Sequence, residues 1–221
     1  MLLDFYGTVV HEDGPVITGI CERIAASAAS VVTAAQVGGL WATAFARECG
    51  ASFGATFKSQ RAAARDSLVR VLDEVRSPED PEFLCSPQFE YWQRPLLYDD
   101  TKDFFARIDL PVCIVSNIDR TDLEQAMDHH GIVVNHVITS EDVRSYKPRP
   151  ELFTRALELL GVAPGAALHV GDSLSSDVAG ANRLGIPVAW VNRSARRAHD
   201  QAALWAEVAD LVTVATLLHQ S

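Results

Sequence analysis

Cysteine is scarce in this sequence, and its pattern argues against two kinds of site. The chain has four cysteines in 221 residues, and no two of them form a CxxC pair. Each stands among mostly apolar neighbours, so we expect buried, reduced thiols rather than zinc ligands or disulfides. The four are Cys21, Cys49, Cys85 and Cys113. Reduced thiols are typical of the cytoplasm, which is the expected compartment.

Positive charge is also in short supply. Lys and Arg number 19 against 29 Asp and Glu, which gives a formal net charge of -10. Such a surface repels phosphate backbones and anionic lipid, so we expect neither nucleic acid nor membrane as a partner. No apolar run approaches the roughly 20 residues of a membrane helix. The first ten residues, which include Asp4, lack the basic segment of a signal peptide. A small anionic substrate in a local pocket is compatible with this charge, and we expect a monomer or a homodimer.

Short apolar runs, rich in β-branched residues, alternate with helical patterns in the second half of the chain. This alternation predicts an α/β fold, a parallel sheet with helices on both faces. The predicted strands are residues 1–5, 112–115, 133–138, 168–170, 188–191 and 211–214. Gly131, Gly161 and Gly185 are expected to end helices, and Thr121 with Glu124 forms a capping box that would begin one.

Residues 14–96 have a different texture, with much alanine and few β-branched runs. Helical spacing predicts helices over residues 20–30, 34–49 and 61–75, followed by a proline-rich loop at 77–87 and a short helix at 89–94. We therefore predict a small all-helical domain at 14–96. It would be inserted into a core domain formed by residues 1–13 and 97–221.

Polar side chains follow three of the predicted strands where each strand ends. Asp4 ends the first apolar run, Ser116 and Asn117 follow the second, and Asp172 follows the run at 168–170. In doubly wound sheets, ligands bind beyond the carboxyl ends of the strands. These groups are therefore expected to share one crevice.

A lysine and a further aspartate extend this group. Lys147 precedes Pro148, which favours an extended backbone and stiffens the loop. Asp177 either caps a helix N-terminus or supports a metal ligand. The carboxylates of Asp4 and Asp172 suit a hard cation such as Mg²⁺, whereas a lysine and a hydroxyl suit a phosphoryl or carboxylate group. An aspartate can also act as a covalent nucleophile toward phosphorus or an alkyl halide.

The order and spacing of these residues resemble the haloacid dehalogenase-like hydrolase superfamily. The matching segments are 4–8 (DFYGT), 115–117 (VSN), 147–153 (KPRPELF) and 169–173 (HVGDS), with Asp177 following. Each motif alone is weak, but together and in this order they are specific. The resemblance implies a Rossmann-like core with a helical cap inserted directly after the first motif, in agreement with the helical domain predicted above.

The resemblance also implies catalytic roles. Asp4 would be the nucleophile that forms a covalent aspartyl intermediate. Ser116, with Asn117 beside it, would bind the transferring group. Lys147 would bind substrate too, and would neutralise both the nucleophile and the developing charge.

A metal site is implied by the same resemblance. Mg²⁺ would be held by Asp4, Asp172 and the backbone carbonyl of Tyr6, with Asp177 and Thr8 in support. Phosphatases of the superfamily usually carry a second Asp where Tyr6 stands, and that Asp is their general acid and base. A phenol with a pKa of about 10 is a poor proton shuttle, and its presence should slow demanding substrates about 10²–10⁴-fold.

Tyr6 matches instead the 2-haloacid dehalogenase branch, whose halide leaving group needs no proton. That branch has no need of metal and carries Ser in place of Asp172. Here Asp172 is present, and its charge would repel Asp4 unless a cation lay between them. The branch also carries an arginine in the first cap helices, for which the nearest candidate here is Arg47.

The favoured hypothesis is a Mg²⁺-dependent phosphatase acting on a small phosphorylated metabolite. Either a good leaving group, such as an acyl phosphate, or a substitute side chain would make up for the missing acid. His11 is the preferred substitute because its intrinsic pKa lies nearest neutrality, and Glu12 and Asp13 share its loop. The alternatives are a metal-independent dehalogenase and a non-catalytic relative that binds a ligand or a protein.

Two further groups of residues are expected to have structural roles. The helical spacing of Trp41 and Phe45 favours packing within the helical domain. Arg193, Arg196 and Arg197 are expected to lie in a solvated loop.

Overall fold

The computed structural model describes residues 1–197 and 203–220. The strands in this part of the chain are β1 (Leu2–Leu3), β2 (Cys113–Ser116), β3 (His136–Thr139), β4 (His169–Gly171), β5 (Val188–Val191) and β6 (Ala206–Val208). They form one parallel sheet in the order β3-β2-β1-β4-β5-β6. The predicted α/β fold with a Rossmann-like parallel sheet is confirmed.

Ten α-helices accompany the sheet in the described residues. They are α1 (Gly14–Ser27), α2 (Ala34–Ala51), α3 (Gln60–Val75), α4 (Pro81–Gln93), α5 (Thr101–Arg107), α6 (Arg120–His130), α7 (Ser140–Val143), α8 (Glu151–Leu160), α9 (Ala179–Arg183) and α10 (Leu211–Leu218). No helix among the described residues combines the length and the apolar character needed to cross a bilayer.

The central strands are buried on both faces, and each sends alternate side chains to two hydrophobic layers. Leu3 and Ile114 belong to one layer, which also contains buried residues of α5, α6 and α10. Leu2 and Val115 belong to the opposite layer, with buried residues of α8 and α9. Helices therefore cover both faces, as a parallel sheet requires.

Two of the glycines predicted to end helices are confirmed, whereas the predicted start of a helix at Thr121 is wrong. Gly131 and Gly161 end α6 and α8 in the left-handed conformation, with φ of 66° and 65°. The capping box predicted at Thr121 is wrong, because α6 begins at Arg120 with Asp119 in the capping position. The carboxylate of Asp119 makes no capping bond there, since it binds the backbone of α3 instead.

The strand predicted at 211–214 is wrong, because these residues begin α10. The side chain of Asp210 caps that helix by accepting a 2.7 Å bond from the amide of Thr213. Leu211, Val214 and Ala215 are buried at helical spacing. A four-residue apolar run does not distinguish a strand from a helix. The edge strand β6 was not predicted, because it has only three residues. Strand β3 begins at His136, later than predicted, and Val133 before it is exposed.

The loop predicted at 77–87 is also wrong in its second half. Helix α4 begins at Pro81, where the missing N–H and the fixed φ of proline are compatible with a first helical turn. The Asp80 side chain accepts a 3.0 Å bond from the amide of Glu82 and caps the helix. The predicted helix at 89–94 is the C-terminal part of α4.

Helices α1 to α4 lie between β1 and β2 in the chain, and we call residues 14–96 the helical insertion. They pack around a hydrophobic cluster of their own that includes Ile24, Trp41 and Leu68. The insertion is tied to the sheet layer by hydrogen bonds, such as that from the Tyr146 hydroxyl to the carbonyl of Lys58 at 2.8 Å. The division into two domains stays a prediction, and residues 198–202 and 221 of the predicted core lie outside the described residues.

All four cysteines are free in the described residues. Three are buried, and Cys49 is half-buried. Burial raises the pKa of the Cys113 thiol to about 12, so this thiol stays protonated at neutral pH.

Gly180 allows a test of how closely α9 packs against Phe153 and Pro148. A Cβ atom there would lie 2.5 Å from the ring of Phe153 and 3.2 Å from Cα of Pro148. We expect Gly180→Ala to lower the free energy of unfolding by about 1–3 kcal/mol through overpacking, measured by urea denaturation. Gly39→Ala in α2 is the matched control, since nothing lies within 4 Å of its Cβ position. That change should stabilise by roughly 0.5–1 kcal/mol. Equal effects at the two positions would contradict the packing described here.

Candidate active site

The residues predicted to share a crevice do converge. Asp4, Ser116 and Asp172 directly follow or end β1, β2 and β4, which are neighbours in the sheet. Together with Lys147 they line a cavity of about 360 Å³, which we call the main cavity. Its remaining wall comes mostly from the helical insertion, including Trp41 and other aromatic residues. The site therefore lies at the carboxyl edge of the sheet, beneath the inserted helices.

Lys147 lies at the centre of this site. Its Nζ donates to Oδ1 of Asp4 at 2.6 Å, to Oδ1 of Asp177 at 2.7 Å and to the carbonyl of Val115 at 2.9 Å. All three ammonium protons therefore have acceptors, although the residue is only 5% exposed. Burial on its own would lower the pKa of Lys147, but Asp177 and Asp4 together hold that pKa above its usual range. The lysine is thus charged across the physiological range.

Asn117 fixes the position of this lysine. Its Oδ1 accepts a 2.7 Å bond from the backbone amide of Lys147, and its Nδ2 donates to the Lys147 carbonyl at 3.2 Å. Both polar atoms of the Asn117 side chain are therefore engaged by Lys147. The hydroxyl of Ser116 makes no hydrogen bond within the described residues, so it is left for a substrate oxygen.

Asp177 supports the lysine rather than capping a helix. Its Oδ1 also accepts from His169 at 2.9 Å, and its Oδ2 accepts from the amide of Ser173 at 3.0 Å. Burial opposes ionisation, but Lys147 and His169 hold the pKa of Asp177 well below its usual range. The capping role belongs to Ser173, whose hydroxyl accepts from the amide of Ser176 at 3.2 Å. His169 was not predicted as a site residue and appeared only as part of the motif at 169–173. Its contact with Asp177 is a finding of the structure.

Asp4 is held by two donors. Besides Lys147, the hydroxyl of Thr8 donates to its Oδ2 at 3.0 Å. Burial raises the pKa of Asp4, and the adjacent ammonium of Lys147 opposes that shift. These two contacts orient the carboxylate that the sequence predicts as a nucleophile.

Asp172 brings a second negative charge close to Asp4. Carboxylate oxygens of Asp4, Asp172 and Asp177 all lie within 4.8 Å of one another. Burial and the charges of Asp4 and Asp177 raise the pKa of Asp172 to about 8. One positive group approaches it directly, since Nη2 of Arg196 lies 3.2 Å from its Oδ2.

These residues fit a hard divalent cation. Asp177 accepts three hydrogen bonds, from Lys147, His169 and Ser173, whereas Asp4 accepts two. Asp4 and Asp172 therefore keep more free acceptor capacity, and they are the carboxylates that would hold the ion. A cation between them would relieve the repulsion that raises the pKa of Asp172. The part of Tyr6, as a ligand through its backbone carbonyl, stays a prediction.

The Tyr6 side chain is held by a hydrogen bond to the helical insertion. Its phenol donates a hydrogen bond to the backbone carbonyl of Trp92, in the helical insertion. Burial, followed by the charges of Asp122 and Asp13, raises the pKa of Tyr6 well above its usual value. The phenol therefore serves as a permanent donor that links the first motif to α4, and not as an acid–base group.

The structure does not bring His11 to the main cavity. Its ring is exposed and packs against Tyr98, with ring centroids 3.7 Å apart. Of its loop neighbours, Glu12 and Asp13 do line the cavity. The hypothesis that His11 replaces the missing acid therefore lacks the proximity that it requires.

The basic residues after β5 are not simply solvated. Arg193 is only 17% exposed and donates to the carboxylate of Asp100 at 3.1 Å and to the carbonyl of Thr8 at 2.8 Å. The expectation of a solvated loop is wrong for Arg193, whereas Arg196 is exposed as expected, although it also contacts Asp172. Arg193 lies between two acceptors, which explains its burial, and Arg197 is exposed as expected.

Two expectations about the helical insertion have mixed outcomes. Trp41 packs within the insertion as expected, with its Nε1 donating to Ser67 at 3.0 Å, but it also lines the main cavity together with Phe45. Arg47 is exposed and does not line that cavity. Among the described residues that line it, Lys147 is the one basic side chain.

Comparisons with known proteins agree with the motifs. The model of the haloacid dehalogenase-like hydrolase family matches residues 1–185, so the chain belongs to that family. The phosphoserine phosphatase of Thermus thermophilus is 34% identical over 143 residues, which cover 61% of this chain and 56% of that protein. The chain spans about half the length of the curated relatives it matches.

Solved structures share the fold over nearly the whole chain. The L-2-haloacid dehalogenase of Xanthobacter autotrophicus has a TM-score of 0.78 at 20% identity, covering 99% of this chain and 97% of that one. A HAD phosphatase from Thermococcus onnurineus has a TM-score of 0.65 at 23% identity, covering 98% and 96%. At these identities the likeness shows the fold alone. One of the two structures is a dehalogenase and the other is a phosphatase.

Asp172 generates a prediction about stability. Its pKa of about 8 lies above the ordinary value of 3.8, so the native state binds the proton more tightly than the unfolded state. Without a divalent cation, this carboxyl group therefore lowers stability progressively as the pH rises through that interval. We expect Asp172→Asn to raise the thermal midpoint at pH 8 in EDTA, measured by calorimetry.

Magnesium should stabilise the wild type much more than Asp172→Asn. At about 100 times its Kd, the ion should add about 2.7 kcal/mol to the wild type, or roughly 5–10 °C, and much less to Asp172→Asn. Asp109→Asn, an exposed change, is the control and should respond to magnesium like the wild type. An equal magnesium response in Asp172→Asn would place the ion elsewhere.

Proposed function

We propose that this chain is a Mg²⁺-dependent phosphatase that acts on a small phosphorylated metabolite through an aspartyl-phosphate intermediate. The observation that carries the proposal is the position of Asp172, buried beside Asp4 with a raised pKa. Without a cation, a second carboxylate at this position would repel the nucleophile. A magnesium ion, when bound, would be held by Asp4 and Asp172 and would offset negative charge on the incoming phosphate.

The chain's own residues account for the first chemical step. A carboxylate oxygen of Asp4 attacks phosphorus, and the bond from phosphorus to the leaving oxygen breaks as the new bond forms. Lys147 donates to Asp4 at 2.6 Å, so it orients the nucleophile and offsets its negative charge as the anionic substrate approaches. The free hydroxyl of Ser116 can donate to a phosphoryl oxygen. In the second step, water attacks the phosphorus and releases Asp4.

The lining of the main cavity also favours a phosphate ester over a 2-haloacid. A 2-haloacid carries a carboxylate, which needs a positive partner of its own. Lys147 is the one basic side chain among the described lining residues, and Asp4 and Asp177 already neutralise it. A phosphate can instead share the cation held by Asp4 and Asp172.

A dehalogenase is the second candidate, and Tyr6 is the observation that favours it. The phenol is bound to Trp92 and cannot supply the proton that an alkoxide leaving group needs, whereas a halide needs none. A non-catalytic ligand-binding or protein-binding relative is the third candidate. The intact group of Asp4, Ser116, Lys147 and Asp177 speaks against it.

A paired assay separates the three candidates. We expect phosphate release from p-nitrophenyl phosphate or acetyl phosphate that requires Mg²⁺ and stops in EDTA, and no chloride release from 2-chloropropionate. Asp4→Asn should lower phosphate release by at least about 10³-fold, because the amide is no nucleophile. Asp109→Asn is the control for the same chemical change at an exposed site.

Each alternative has its own signature in that assay. Chloride release that persists in EDTA and is lost in Asp4→Asn would identify a dehalogenase. Absence of both activities over a broad substrate panel, in a folded protein, would leave the binding role.

A further inference from the structure

A phosphatase with this site requires a proton donor when its substrate has a poor leaving group, such as an alkoxide. When an alkoxide leaves phosphorus, its oxygen must be protonated, and the water that later attacks must lose a proton. The Tyr6 phenol is bound to the carbonyl of Trp92 and its pKa is raised, so it performs neither task. For such a substrate, the donor would come from another residue that reaches the main cavity.

The loop after the first motif supplies three candidates, of which two are occupied. His11 packs on Tyr98 outside the cavity. Asp13 lines the cavity, but its Oδ2 accepts from Nε2 of Gln88 at 2.9 Å and from Nε1 of Trp92 at 2.8 Å. These two bonds fix Asp13 as a structural acceptor between the loop and α4.

Glu12 is placed differently. It lines the main cavity together with Asp4, and it also lines an adjoining cavity of about 100 Å³ together with Asp172 and Arg196. Within the described residues, its carboxylate forms no hydrogen bond and no ion pair. The residue is exposed, so its carboxylate is accessible both to solvent and to a molecule in the cavity. Glu12 is therefore a carboxyl group on the wall of the main cavity that binds no other described side chain.

The electrostatic surroundings suit proton transfer. Burial, followed by the charges of Asp13 and Asp4, raises the pKa of Glu12. Arg196 opposes the shift. A carboxyl group whose pKa is raised toward the working pH can both donate and accept a proton.

We propose that Glu12 is the general acid and base of this site, in place of the aspartate that Tyr6 replaces. This inference rests on the phosphatase function proposed above. It assigns the missing role to a residue on the wall of the cavity, eight positions after the nucleophile in sequence.

The proton balance closes over the two steps. In the first, the protonated carboxyl group of Glu12 gives its proton to the leaving oxygen as the phosphorus–oxygen bond breaks and the Asp4–phosphorus bond forms. In the second, the Glu12 carboxylate takes a proton from the water that attacks phosphorus. The products are the alcohol, hydrogen phosphate, the free Asp4 carboxylate and a reprotonated Glu12.

The test uses three esters of similar shape and decreasing leaving-group quality: p-nitrophenyl, phenyl and benzyl phosphate. We expect Glu12→Gln to lower kcat/KM for benzyl phosphate about 10²–10⁴-fold. The same variant should lower kcat/KM for p-nitrophenyl phosphate less than about 10-fold, because nitrophenolate departs without a proton. Glu22→Gln, an exposed change on α1, is the matched control and should leave all three values unchanged.

A second readout reports the hydrolysis step. Because water activation also needs the Glu12 carboxylate, the variant should release a stoichiometric burst of p-nitrophenolate and accumulate phosphoenzyme. A merely structural role would lower all three kcat/KM values together and give no burst.

Three results would overturn the inference. They are an equal loss on all three esters, no loss on benzyl phosphate, and the same leaving-group dependence in His11→Ala with none in Glu12→Gln. In each case the wild type still hydrolyses phosphate esters, so the proposed function stands. If the wild type releases no phosphate from any ester, the proposed function fails and this inference fails with it.

Discussion

The buried contact of Lys147 with Asp4 and Asp177 is the interaction on which the rest of the site depends. Three acceptors surround one ammonium group, and almost none of it is exposed. Removing one partner of such a buried pair typically destabilises a protein by about 3–5 kcal/mol, because a charge is left uncompensated. Two neighbouring side chains hold this contact in place. Asn117 accepts a hydrogen bond from the backbone amide of Lys147, and His169 binds the carboxylate of Asp177.

Close packing of carboxylates around that lysine leaves no room for side chains at two positions. Gly7 has a φ of +87°, and a Cβ there would lie 2.7 Å from Oδ1 of Asp172. A Cβ at Gly171 would lie 2.5 Å from Cγ of Asp177. The contact at Gly7 arises where the first motif approaches the segment that follows β4, and the contact at Gly171 arises within that segment itself.

Some of this arrangement was predictable from the sequence. Parallel strands place their carboxyl ends at one edge, so the convergence of Asp4, Ser116 and Asp172 followed from the strand pattern. Predictions from local sequence patterns failed where contacts between distant segments determine the position of a side chain. Asp119 is drawn to the backbone of α3, and the Tyr6 phenol to Trp92, by segments distant in the sequence. Intrinsic pKa favoured His11 over Glu12, but only the folded loop shows which of the two reaches the cavity.

The central claim is that a divalent cation binds between Asp4 and Asp172, close to the buried lysine. The most direct measurement is anomalous diffraction from crystals grown with Mn²⁺ in place of Mg²⁺. The account predicts an anomalous peak in contact with carboxylate oxygens of both aspartates. A site in which the guanidinium of Arg196 occupies that position, with no peak at saturating Mn²⁺, would contradict it.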